Sequence, residues 1–155
     1  MNYVKIQQDI IKAVYNDKRD EWRFIEGVHN GRVWVIYKGY AIFSVPECLW
    51  FLDIDGISKK CNLPLPISER IFKSHMDLCS NSEACHFTGT RPYRDKELNR
   101  YESDYTHKEV FVDPNLLKWL DKKFDYTYRM IDKRNPLYIM DGEDMVGCVL
   151  PVNVG

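Results

Sequence analysis

The sequence lacks the features that mark secreted, membrane-spanning and disulfide-stabilised proteins. Its five cysteines are an odd number at irregular spacing, so they form no disulfide framework. No apolar run reaches the length of about 18 residues that a membrane helix needs, and the amino terminus has no secretory signal pattern. We therefore expect a soluble, cytoplasmic protein that does not enter a membrane.

Neither sign of charge is in excess, because 22 Lys and Arg residues are balanced by 23 Asp and Glu residues. A general nucleic-acid binder usually has a basic excess, so any contact with DNA must come from local placement of cations. Hydrophobic residues make up 45% of the 155 positions. A chain of this length buries roughly 70% of its unfolded surface, which is enough for a core. We predict a single domain over residues 1–155.

Motifs for catalysis are also lacking. The chain has no glycine-rich phosphate loop, no nucleophile elbow and no paired His/Glu metal helix. We therefore expect neither an enzyme nor a cofactor.

Apolar periodicity predicts a helix followed by strands at the amino-terminal end. The first helix covers Val4–Asn16, with isoleucines on one broad face and Lys5 and Lys12 on the other. Trp22–Phe24 is predicted as a strand, and Arg32–Val45 as a hairpin around a Lys38-Gly39 turn.

The carboxy-terminal third repeats this order of a helix followed by strands. Asp113 and Pro114 are typical of a helix start, because Asp caps free N–H groups and Pro has none to lose. The pattern then changes to the period of two that is typical of strands. The predicted elements are a strand at Val110–Val112, a helix at Asn115–Phe124, and strands at Tyr126–Ile131, Leu137–Met140 and Met145–Pro151, the last two joined by a turn at Asp141–Asp144.

The middle of the chain, residues 47–106, has weaker patterns. Ile67–Leu78 is predicted as a helix with Ser68 as a possible cap, and Ala84–Gly89 as a strand. Arg91–Thr106 is dense in charge and tyrosine, and either a strand pair or a long exposed loop fits it.

The carboxy-terminal third resembles half of a domain of the bacterial DNA sliding clamp, the processivity factor of the replicative polymerase. The matching features are a strand that leads into a helix with leucines, the proline-led strand Asn135–Ile139, the acidic turn, and the closing Val149-Leu150-Pro151-Val152. The resemblance implies an α+β domain with two helices on one face of antiparallel sheets and two pseudo-twofold halves. Residues 47–106 would then hold an insertion.

The resemblance also implies a function in DNA replication or repair without catalysis. The expected partners are duplex DNA, bound without sequence preference, and a DNA polymerase or other replication proteins. Since a clamp encircles DNA as a ring, the chain either self-associates into a homo-oligomeric ring or keeps the fold without encircling DNA, and the sequence does not decide between the two. One alternative is a clamp-like interaction module of a phage or mobile element, which binds replication proteins without encircling DNA.

Four lysines are the candidate DNA-binding residues: Lys5 and Lys12 on the first predicted helix, and Lys118 and Lys122 on the second. If the two helices lie side by side, these ammonium groups share one surface that can contact phosphates without reading bases. The competing interpretation is that they are ordinary solubilising lysines on exposed helix faces.

A small metal-binding regulator is the remaining alternative. His75, Cys79, Cys85 and His86 are zinc-ligand types, but their spacing fits no standard zinc motif. We therefore predict no metal site and keep these four residues only as weak candidates. Asp53-Ile54-Asp55-Gly56 resembles the start of a calcium loop, but the later ligand positions are wrong and a turn is expected.

Overall fold

Nine strands form one antiparallel sheet that organises the whole structure, which confirms the predicted α+β class. The computed structural model describes residues 1–16, 18–53, 55–56 and 69–155. The strands are β1 (Trp22–His29), β2 (Arg32–Tyr37), β3 (Ala41–Pro46), β4 (Glu83–Tyr93), β5 (Lys96–Ser103), β6 (Glu109–Val112), β7 (Thr127–Met130), β8 (Leu137–Asp141) and β9 (Asp144–Val149), in the sheet order β1-β2-β3-β9-β8-β7-β4-β5-β6.

Helix α1 (Tyr3–Tyr15) packs on one face of the sheet, and its predicted range is correct to within one residue at each end. The Asn2 side chain accepts a hydrogen bond from Lys5 N at 2.9 Å, which caps the first turn. Ile6 and Ile10 are fully buried against that face. The period of 3.6 residues therefore leaves Lys5 and Lys12 on the exposed side.

Helix α2 (Glu69–Ser80) packs on the opposite face. Its predicted start at Ile67, with Ser68 as the cap, lies outside the described residues. Phe72 and Cys79 are two turns apart and contact the face of β2 that carries Trp34, whereas Val35 points to the side of α1. Helices α1 and α2 thus lie on opposite faces of the sheet, because alternate residues of a strand face opposite sides.

The helix predicted at Asn115–Phe124 is wrong. Only a 3-10 helix forms there, Pro114–Leu117. Asp113 caps it as expected, since its side chain accepts from Asn115 N at 2.9 Å. Asp121 then accepts from Lys123 N at 3.0 Å, and such local bonds compete with continuation of a helix. Leu116, Leu117, Trp119 and Leu120 still pack on the face that holds α1, so the predicted side is correct.

Two three-stranded meanders, β1-β2-β3 and β7-β8-β9, meet where β3 pairs antiparallel with β9. Each meander follows a segment that packs on the same face of the sheet, α1 before the first and residues 114–120 before the second. Residues within 47–106 supply α2, β4 and β5. The predicted strand at Ala84–Gly89 lies in β4, and Arg91–Thr106 contains a strand pair rather than a loop.

Both hairpin turns predicted from glycine form as expected. Lys38 and Gly39 have φ of 52° and 73°, and Gly142 in the β8–β9 turn has φ of 62°. Among the helices of the described residues, none is long and apolar enough to cross a membrane.

Gly147 lies at the join between the two meanders, where it pairs with Phe43 of β3. A Cβ atom at this position would lie 2.7 Å from the backbone oxygen of Ile42. We expect Gly147→Ala to lower the free energy of unfolding by about 1–3 kcal/mol, because backbone of β3 must move. Urea denaturation measures this, with Asp144→Ala in the same strand as the control. If the two variants have the same urea midpoint, the close approach of Gly147 to the β3 backbone is contradicted.

Candidate functional site

Trp119 joins the carboxy-terminal segment to the amino-terminal helix. Its backbone oxygen accepts a hydrogen bond from Asn2 N at 2.7 Å. Its indole Nε1 donates to Asp9 Oδ2 on α1 at 2.9 Å. Asp9 and Trp119 are 110 residues apart, so these two bonds hold together the two stretches on which the candidate lysines lie.

An aromatic cluster holds the Trp119 ring in place. Trp119 is fully buried, and its ring lies 4.7 Å from Tyr37, 5.0 Å from Phe43 and 5.3 Å from Trp22, measured between centroids. The Tyr37 and Phe43 contacts are edge-to-face, a geometry that aromatic quadrupoles favour. Trp119 is therefore fixed in orientation, and its neighbour Lys118 is directed to the surface.

The structure brings three of the four predicted lysines to one small cavity, which we call the lysine niche. Lys5, Lys12 and Lys118 line it together with Lys18, and its volume is about 220 Å³. Lys122 does not line the niche, because the helix that would have placed it there ends at Leu117. The remaining lining residues are Asp9, Ala13, Asn16, Glu21, Trp22 and Tyr37.

Both carboxylates of the niche are already engaged. Asp9 forms an ion pair with Lys5 at 2.7 Å, and Glu21 lies 3.6 Å from Lys38 Nζ, outside the niche. Among the described residues, Lys12 and Lys18 have no acidic partner within 4 Å. They are the free charges of the niche.

Lys118 is held by rings rather than by a carboxylate. Its Nζ lies 4.4 Å from the centroid of Trp119 and 4.9 Å from that of Tyr37. A cation over an aromatic face keeps its hydrogen-bond donors available. The niche therefore offers ammonium groups to an anion from two separate parts of the chain.

The niche also shows what sequence reasoning missed. Tyr37 and Trp22 form its floor, although they were predicted only as strand residues. Trp22 and Tyr37 are directly paired in the β1–β2 ladder. Two aromatic residues on neighbouring predicted strands were therefore the sequence feature that could have indicated this surface. The sequence also offers Lys18, just past the predicted helix, as a weaker addition to the lysine surface, and the fold brings it to the same cavity as Lys118.

The four weak metal candidates do not meet. Cys79 is buried on the side of α2 and Cys85 on the side of α1, so the sheet lies between them. Burial raises the pKa of Cys85 to about 12, so its thiol is protonated at neutral pH in the metal-free protein. His86 is exposed and lies 2.5 Å from Asp104.

His75 lies on α2 and lines a different cavity, beside Cys148. Within the described residues, no group of three or more His, Cys, Asp or Glu side chains is placed to hold a metal ion. At the calcium-like segment a turn was expected, but Asp55 and Gly56 are helical, and Asp53 Oδ1 accepts from Gly56 N at 3.0 Å as a helix cap does. Ile54 lies outside the described residues.

The stability of the contacts around the niche depends on pH through Asp9. Partial burial opposes its ionisation, but hydrogen bonds from Lys5 and Trp119 outweigh this and hold the pKa of Asp9 below its ordinary value of 3.8. A carboxyl group whose pKa is lower in the folded state than in the unfolded state stabilises the fold at pH values above its unfolded-state pKa. This stabilisation is lost as the pH falls through the folded-state pKa.

We expect Asp9→Ala to lower the free energy of unfolding by about 2 kcal/mol at pH 7, because it removes charged hydrogen bonds and leaves a buried indole N–H unpaired. Denaturation from pH 7 to pH 2 should show this difference shrinking as wild-type Asp9 becomes protonated. Asp125→Ala, which removes an exposed carboxylate, is the control. A difference that is constant with pH would contradict this role of the Asp9 charge.

Comparison with protein-family models, with curated proteins and with solved structures finds no match to this chain.

Proposed function

We propose that the protein is a clamp-like accessory protein of DNA replication or repair, and that it binds duplex DNA without sequence preference and without catalysis. The observation that carries this proposal is the convergence of Lys5, Lys12, Lys18 and Lys118 from two distant parts of the chain on one niche. The resemblance of the carboxy-terminal third to a sliding-clamp half supports it. The site of action would be the cytoplasm.

The niche suits a phosphate backbone. Lys12 and Lys18 are exposed, and Lys118 keeps donors free over the Trp119 ring. Lysine ammonium groups bind phosphates as point charges, and binding releases counterions from the DNA. Such contacts position a protein on a duplex but read no bases. The near-neutral net charge is compatible with this function because four lysines line the niche together.

Self-association into a ring would use the edge of the sheet. The terminal strands are β1 and β6, and β6 already accepts a backbone hydrogen bond from Val152 N to Phe111 O at 2.7 Å. In β1 the register shifts between Phe24 and Val28, which shortens the regular edge. The outer edge of β1 around Trp22–Phe24 is therefore the part of the described sheet that could pair with a second copy.

An apolar patch favours the alternative, a clamp-like module that binds replication proteins. Val4, Leu49 and Phe51 are each more than half exposed and surround a cavity of about 540 Å³. Exposed apolar side chains that are grouped together are typical of protein-binding surfaces. This alternative predicts a monomer without affinity for DNA, so gel filtration combined with a DNA-binding assay separates the two functions.

The double variant Lys12→Gln/Lys118→Gln tests the proposal. If each lysine neutralises one phosphate, the slope of log binding constant against log salt concentration should decrease in magnitude by about 2. This change should be the same for any duplex sequence. Fluorescence anisotropy with a labelled duplex at several salt concentrations measures this slope.

Arg70→Gln/Lys73→Gln is the matched control, since it removes two exposed cations from α2 on the opposite side of the sheet. Lys122→Gln shows whether the contact surface extends past the niche, as the sequence predicts. Equal loss of affinity in the niche variant and the α2 variant would contradict DNA binding at the niche, and so would a wild-type protein that shows no salt-dependent binding.

A further inference from the structure

A second cavity lies away from the lysine niche, at the carboxy-terminal tail. We call it the tail cleft. Its volume is about 610 Å³, within the range of about 300–1,000 Å³ that is typical of small-molecule sites. It shares no lining residue with the niche. Its charged and aromatic lining residues are Arg91, His107, Lys108, Glu109, Phe111, Asp132, Lys133 and Arg134.

Three separate segments supply the cations of the tail cleft. Arg91 comes from β4, Lys108 from the turn between β5 and β6, and Lys133 and Arg134 from the loop between β7 and β8. The Arg91 guanidinium lies 5.1 Å from the centroid of the Phe111 ring, which orients it without a carboxylate. None of these four side chains has an acidic partner within 4 Å among the described residues.

Both acidic side chains of the cleft already have partners. Glu109 forms an ion pair with Arg100 at 2.5 Å. Asp132 Oδ1 accepts from Arg134 N at 2.7 Å and from Asn135 N and Nδ2 at 3.2 and 3.0 Å. Donation from the Arg134 N–H lowers the pKa of Asp132 despite a small opposing effect of burial. This turn keeps the backbone of Lys133 and Arg134 in one conformation.

We propose that the tail cleft binds a small ligand with an oligophosphate group. Four cations from three segments exceed what one phosphate needs, whereas a chain of two or three phosphates can contact several of them at once. Arginine offers paired donors that match phosphate oxygens, and lysine adds point charges. The ligand is either a free oligophosphate or the phosphate chain of a nucleotide, since both carry this group.

The cleft is concave and is bordered by the tail residues Val152–Gly155. A duplex presents its phosphates on the outside of a wide cylinder, so a concave cleft favours a compact anion over a double helix. The tail is held in place by two bonds, from Val152 N to Phe111 O at 2.7 Å and from Tyr93 OH to Asn153 O at 3.3 Å.

Isothermal titration calorimetry of the full chain with inorganic tripolyphosphate, ATP and sulfate, at about 0.15 M salt, tests this proposal. We expect tripolyphosphate and ATP to bind and sulfate to bind much more weakly. We expect Lys133→Gln/Arg134→Gln to weaken tripolyphosphate binding at least tenfold, which is about 1.4 kcal/mol. Equal affinities of ATP and tripolyphosphate would show that the phosphate chain alone is recognised, and tighter binding of ATP would identify a nucleotide; both support the proposal.

Two controls separate this site from the niche. Arg70→Gln/Lys73→Gln and Lys12→Gln/Lys118→Gln should bind tripolyphosphate as the wild type does. Circular dichroism and the urea midpoint show that the cleft variant is folded, and Lys108→Gln provides a second cleft variant in a different segment. Absence of tripolyphosphate binding, or binding that none of the cleft substitutions weakens, would overturn the proposal. A loss of duplex affinity in the cleft variants without any tripolyphosphate binding would also overturn it.

Discussion

The hydrogen bond from the Trp119 indole to Asp9 is the interaction on which the arrangement of the candidate site depends. The Trp119 ring is buried among Trp22, Tyr37 and Phe43, and the bond is partly buried at its Asp9 end, so leaving the indole N–H unpaired would be costly. Because Asp9 also holds Lys5, one carboxylate both joins the two ends of the chain and orders a cation of the lysine niche. The niche exists only while these contacts are made.

The two basic sites form because the carboxylates near them are bonded to other groups. The chain has almost equal numbers of acidic and basic residues, yet the niche and the tail cleft each contain cations with no carboxylate within 4 Å in the described part of the chain. In both places the local carboxylates are occupied, Asp9 by Lys5 and Trp119, and Asp132 by backbone N–H groups. Two separate basic sites in a protein of net charge −1 therefore result from how the acidic groups are used, and composition alone could not show them.

Local pattern predicted most of the elements, because isoleucine spacing in α1 and the Lys38-Gly39 turn report structure over a few residues. It failed at Asn115–Phe124, where the leucine spacing fits a helix but Asp121 and the burial of Trp119 end it early. It also could not place α2, since the sequence does not say which face of the sheet a helix covers.

The niche was predicted in part: Lys5, Lys12 and Lys118 converge, and Lys122 does not. The tail cleft was missed because its cations are brought together only by the pairing of distant strands. Whether the niche binds DNA stays a prediction.

An NMR titration of duplex DNA into protein with isotope-labelled methyl groups on its lysines tests most directly whether the niche is the contact surface. Methylation of lysine keeps the charge, so binding is preserved. The expected result is that signals of Lys5, Lys12, Lys18 and Lys118 shift together and return at high salt, while those of Lys73 on α2 and Lys96 in β5 stay unchanged. Shifts that are spread evenly over all lysines, or that centre on Lys108 and Lys133, would contradict the assignment of DNA binding to the niche.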